Sequence, residues 1–92
     1  MMSNLRFALF GTGDFGPQFS QYISEIGTLV AVSEPSSDRL AAFREQTGLS
    51  LEEYVDHESL LAGTECDAVA ITSPNHTHRD IAVAAAEAGK HV

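Results

Sequence analysis

Gly11, Gly13 and Gly16 stand in the stretch "FALFGTGDFG", directly after an apolar run and at the spacing G-x-G-x-x-G. Glycine costs backbone entropy, so three of them at fixed spacing need a task. A docked pyrophosphate supplies one for each. Gly11 allows a tight turn out of a strand, Gly13 lets the phosphates approach bare backbone, and Gly16 lets the following helix pack close. The free N–H groups at the helix start and the positive end of its dipole then face the phosphates. Thr12, Asp14 and Phe15 complete the candidate loop. Glu34 lies eighteen residues past Gly16, close to the spacing of about 20 expected of an acid that reads an adenosine ribose. A carboxylate there can accept from both ribose hydroxyls and would repel a 2′-phosphate, which favours NAD over NADP. Arg39, on the following helix, keeps NADP open. Asp14 adds negative charge to the loop and Pro17 removes an early helix donor, so a glycine turn without a ligand stands as the plain alternative.

A second candidate stretch is "TSPNHTH", Thr72 to His78. It falls where a fourth strand ends and its helix begins, the end of the strands at which open α/β sheets bind ligands. Pro74 fixes the turn, Asn75 offers donors and acceptors, and Thr77 caps the helix. His76 and His78 could suggest metal ligands, as could His57 and His91. No Cys, Asp or Glu joins them at a convincing ligand spacing on one element, so no metal is expected. Cys66 is the single cysteine. It rules out an intrachain disulfide and reads as a buried, inert thiol.

These residues need elements to carry them. Leu5 to Phe10 reads as a short strand, apolar on both faces, as a parallel sheet covered on both sides requires. Phe15, Phe19, Tyr22, Ile23 and Ile26 recur at helical spacing and mark the apolar face of a first helix, stopped by Gly27. Thr28 to Ser33 is a second strand. Ser36 or Ser37 caps a helix in which Leu40, Phe43 and Thr47 share a face, and Gly48 ends it. Glu53 to Val55 is a third strand. Asp56 caps a short helix carrying Leu60 and Leu61, with Gly63 as its stop. Asp67 to Thr72, "DAVAIT", is the fourth strand. Thr77 with Asp80 three residues on resembles a capping box. Ile81, Ala84, Ala85 and Ala88 form a narrow helix face closed by Gly89, and His91 and Val92 would begin a fifth strand. The alternation implies an α/β fold: a parallel sheet of order 3-2-1-4 with right-handed crossovers and helices on both faces.

The order "GTGDFG", "VAVSEP", "DAVAITSPNHTHRDIAVAAAEAGKHV" resembles the N-terminal part of the glucose–fructose oxidoreductase and inositol dehydrogenase family, the Gfo/Idh/MocA type, over nearly the whole chain. The resemblance implies a Rossmann-like NAD(P)-binding domain of an oxidoreductase acting on a sugar, a cyclitol or a similar hydroxylated compound. It implies that Gly11, Gly13 and Gly16 serve the pyrophosphate and Glu34 the adenosine ribose. It also implies that Ser73, Pro74, Asn75 and His78 lie along the nicotinamide-ribose side. Most members carry Asp where this chain has Glu34; the longer side chain should still reach the ribose. The family's Glu-Lys-Pro segment, with its catalytic lysine, follows "GKHV", so no residue of residues 1–92 is assigned as catalytic. Lys90 reads as a solvated helix-end lysine. On this reading residues 1–92 are one dinucleotide-binding domain, incomplete at its C-terminus and without the substrate domain, and expected to bind nucleotide without turnover.

Composition narrows the partners. The chain has 92 residues, 43% of them hydrophobic, which fits a globular domain and argues against disorder. A net charge of −8 with only five Lys plus Arg excludes nucleic acid and anionic membrane surfaces as expected partners. No apolar run reaches membrane-span length and no signal peptide is legible, so a cytoplasmic location is expected. The fourth strand forms a sheet edge with neither a charge nor a proline in its middle, which predicts a homodimer or an exchanged strand. Two further functions stay open: a non-catalytic, self-associating nucleotide-binding module, and an S-adenosylmethionine-dependent methyltransferase domain. The latter leaves the Pro-Asn-x-x-His pattern unexplained.

Overall fold

A computed structural model describes residues 5–12, 16–72 and 75–90, with the backbone alone at 16–17 and 75–77. Strands and helices alternate as β1 (Arg6–Phe10), α1 (Gly16–Ile26), β2 (Thr28–Ser33), α2 (Ser37–Thr47), β3 (Glu52–Tyr54), α3 (His57–Gly63), β4 (Ala68–Ile71) and α4 (Asn75–Glu87). The four strands are parallel in the order β3-β2-β1-β4, the order read from the sequence. The predicted fifth strand at His91 and Val92 lies outside the described residues.

The sheet separates two cores. Ile23 of α1 and Leu40 and Phe43 of α2 cover Leu9, Leu29 and Val32 on one face. On the other, Leu60 of α3 and Ile81 and Ala85 of α4 cover Ala8, Phe10, Ala31 and Val69. Ala8, Leu9 and Phe10 are fully buried, so the central strand is apolar on both sides because both sides are packed. Burying Leu9 and Phe10 contributes about 2 kcal/mol each.

The register between β1 and β2 slips between Phe7 and Ala8: Phe7 pairs with Leu29, but Ala8 pairs with Ala31. Val30 is therefore an extra residue, and it packs with Ala31 toward α3 and α4. Side chains on a strand alternate faces, so one inserted residue reverses every later one. Val32 consequently faces α1 and α2, and Glu34, two residues on, follows the same parity.

Helix ends show where local chemistry was legible. Ser36 caps α2 by accepting from Arg39 N, and Gly48 closes it at φ 67°. Asp56 caps α3 by accepting from Ser59 N at 2.6 Å. Four expectations need correction. Gly63 is the last residue of α3, not its stop, and Thr64 is the C-cap; a Cβ at Gly63 would meet Tyr54 Oη at 2.8 Å, so close packing explains the glycine. The helix α4 begins at Asn75, which puts Thr77 inside it rather than at its cap. The third strand sits one residue earlier than read, because Glu52 pairs with Ala31, and Val55 is exposed. On α1, Ile23 is buried while Phe19, Tyr22 and Ile26 are 41%, 65% and 58% exposed.

Candidate functional site

The C-terminal ends of the strands are stitched together by backbone and hydroxyl groups. Gly11 N donates to Ser33 O at 2.8 Å, and Thr72 N donates to Phe10 O at 2.8 Å. Thr72 Oγ1 donates to Gly11 O at 2.5 Å. Glu34 N donates to Tyr54 O at 2.9 Å. Gly11 leaves β1 at φ 87°, in the region that disfavours any residue with a Cβ. The glycine at this turn is thus demanded by the backbone itself.

Glu34 closes the same turn. Its Oε1 accepts from Thr12 N and from Thr12 Oγ1, each at 2.9 Å. Its Oε2 accepts from Ser36 N at 3.0 Å. Thr12 is 3% exposed and Glu34 7% exposed. An ionised carboxylate taken out of water needs donors of this kind, and charge-assisted bonds are the strong ones. Among the described residues no buried side-chain polar atom lacks a partner. A carboxylate has about four acceptor sites. Three are filled by Thr12 and Ser36, which leaves one, on Oε2, among the described residues, so Glu34 keeps room for one ribose hydroxyl and not for the two expected from the sequence.

This clasp was not legible beforehand. From spacing, Thr12 reads as a loop residue and Ser36 as a helix cap. Ser36 does both jobs: its side chain caps α2 while its N–H binds Glu34. Of the other candidates, Gly16 opens α1 and Asn75 opens α4, while His78 lies half-buried on α4. Gly13, Asp14, Phe15, Ser73 and Pro74 lie outside the described residues. Arg39, in the first turn of α2, is exposed and forms no ion pair among the described residues.

Other chemistry is sparse. Cys66 is buried, and burial pushes its thiol pKa up, away from a reactive thiolate. No three His, Cys, Asp or Glu side chains converge among the described residues. Among the described residues, grooves of about 490 and 430 Å³ lie away from the C-terminal strand ends. One runs beside the C-terminal ends of α1 and α2, and the other between α3 and α4.

A doubly wound parallel sheet whose first βα turn passes through a left-handed glycine beside a buried acid has the architecture of a dinucleotide-binding domain. The chain belongs to the Gfo/Idh/MocA family: the family model described as "Oxidoreductase family, NAD-binding Rossmann fold" matches residues 5–92. It is 35% identical over 91 residues to inositol 2-dehydrogenase/D-chiro-inositol 3-dehydrogenase of Halalkalibacterium halodurans, an alignment covering 96% of this chain and 26% of that protein. It is 31% identical to myo-inositol 2-dehydrogenase of Thermotoga maritima, covering 96% of this chain and 27% of that one. Among solved structures it resembles scyllo-inositol dehydrogenase from Lactobacillus casei with bound NAD(H) and scyllo-inositol, at TM-score 0.85 and 25% identity, over 98% of this chain and 27% of that one. The chain therefore spans about a quarter of the length of the curated relatives it matches. No helix among the described residues is long and apolar enough to cross a membrane.

Proposed function

We propose that residues 1–92 are the cofactor-binding part of an NAD-dependent oxidoreductase acting on a cyclitol, a sugar or a similar polyol. The observation that carries the reading is the buried Glu34 carboxylate, bonded to the glycine loop at Thr12. The residues fit the cofactor. Gly11 turns the chain at φ 87°, α1 begins at Gly16, and Glu34 keeps an acceptor site for a ribose hydroxyl. Its negative charge disfavours a 2′-phosphate, which selects NAD. The polyol class is taken from the inositol dehydrogenases among the relatives.

When bound, the nicotinamide exchanges hydride with a substrate carbon. This chain's own part is to bind and orient. Gly11, Gly13, Asp14, Phe15 and Gly16 receive the pyrophosphate, Thr12 of the same loop gives both its donors to Glu34, and Glu34 accepts from the adenosine ribose. We assign Ser73, Pro74, Asn75 and His78 to the nicotinamide-ribose side. The 92-residue chain alone binds nucleotide and does not turn substrate over. A cytoplasmic location fits the reading, and the β4 edge carries self-association into a homodimer. The test is calorimetric titration of the chain with NADH. Saturable binding is expected, weakened about tenfold in Glu34→Ala by loss of a charge-assisted hydrogen bond. A folded chain that shows no saturation at millimolar NADH overturns the reading.

A further inference from the structure

We propose, resting on the cofactor reading above, that Thr12 is a positioning residue for dinucleotide selectivity: its hydroxyl and amide hold Glu34 Oε1 so that Oε2 is presented to the adenosine ribose. Thr12 donates twice to one oxygen, at 2.9 Å from N and at 2.9 Å from Oγ1. Ser36 N holds the other oxygen at 3.0 Å. Two of these three donors are backbone amides, present whatever the side chains. The Thr12 hydroxyl is the donor that a substitution removes.

Holding matters because glutamate is long. Fixing its rotamers on binding costs side-chain entropy, more for Glu than for Asp. A carboxylate clamped at both oxygens before the cofactor arrives has already lost that freedom, which is preorganisation. Family members with Asp at this position have one fewer torsion to fix. With Glu34 the extra methylene is compensated by the loop hydroxyl. The effect belongs to the ribose reading alone. NADH gains from a well-placed acceptor, whereas a 2′-phosphate finds no donor in Glu34 in either state.

The experiment is calorimetric titration of wild type, Thr12→Val and Thr12→Ser with NADH, and with NADPH by competition against bound NADH, with thermal unfolding recorded for each. Valine keeps the β-branched shape in the buried slot and removes the donor; serine restores it. Thr12→Val is expected to weaken NADH about fivefold to tenfold, to change NADPH by less than about twofold, and Thr12→Ser to return both toward wild type. Unchanged NADH affinity in Thr12→Val overturns the assignment. So does equal weakening of both dinucleotides, which would mean that the hydroxyl serves a part they share or that the fold is damaged. Should Thr12→Val fail to fold, Thr12→Cys, a smaller side chain with only a weak donor, carries the same comparison with the same deciding outcomes. A folded wild type with no NADH binding would instead remove the cofactor reading itself.

Discussion

Gly11 and Glu34 act on one turn in different ways, and the difference is measurable. Gly11 supplies a backbone angle, φ 87°, while Glu34 supplies a charge held by three donors. Gly48 has a similar φ of 67° with nothing within 4 Å of a would-be Cβ, at the far end of α2. Alanine at either position is strained by about 1 to 2 kcal/mol. Gly48→Ala is expected to lower stability by that amount and leave NADH affinity alone. Gly11→Ala should lower stability similarly and weaken NADH by tenfold or more, because Thr12 and its grip on Glu34 follow directly. Thermal unfolding with parallel titrations decides it; equal NADH affinity in the two variants would sink the role given to Gly11. The glycine and the acid were both legible, since spacing is a property of the sequence. Thr12 and Ser36 were not recognised as partners of Glu34, because a hydroxyl and an amide that meet across 22 and two residues leave no spacing signature.

At the scale of elements, hydrophobic periodicity found α1 but not its buried face. Five apolar positions pointed to one stripe, yet the face against the sheet carries Ser20 and Ile23, both buried. A Cβ at Gly27 would stand 2.5 Å from Leu5 O and 2.7 Å from Phe7 Cε1, because the chain enters β2 here directly beside β1, where Thr28 N donates to Leu5 O. The stop at Gly27 is correct in place, but its cause is crowding rather than a left-handed angle. Phe19 and Tyr22 instead pair with each other, ring centroids 6.4 Å apart at 74°. Ile23→Ala is therefore expected to cost about 2 to 4 kcal/mol, and Ile26→Ala, at 58% exposure, less than about 1 kcal/mol. Denaturant unfolding checks the pair, and equal costs would contradict the packing described. The bulge at Val30 was equally invisible. "TLVAVS" reads as an uninterrupted strand, and only pairing with β1 shows that its parity changes before Glu34. Caps at Ser36 and Asp56, by contrast, were legible because a cap is settled within four residues.

For the whole molecule, strand alternation was enough to order the sheet, and the order places β3 and β4 at the two edges of the described sheet. One edge, β3, carries Glu52 and Glu53. Glu53 is held by Arg44 at 2.7 Å, and that contact keeps its carboxyl below the usual range. Charges on an edge oppose pairing with another chain. The other edge, β4, is Ala68–Ile71, four residues without a charge, flanked only by Asp67, whose carboxylate is occupied by Arg6. The homodimer proposed above would therefore pair along β4 rather than along β3, and so short a strand would give an interface at the small, weak end of the range. Net charge works against it: at −8 two copies repel, and that repulsion reaches about 30 Å at 10 mM salt but about 8 Å at 150 mM. Multi-angle light scattering across concentration should then show a dimer whose fraction rises with protein and with salt. The exposed Arg6 pairs, weakened by the same salt, contribute too little to reverse that trend. A chain that stays monomeric at every concentration and ionic strength would show that the β4 edge is protected by something other than a second copy.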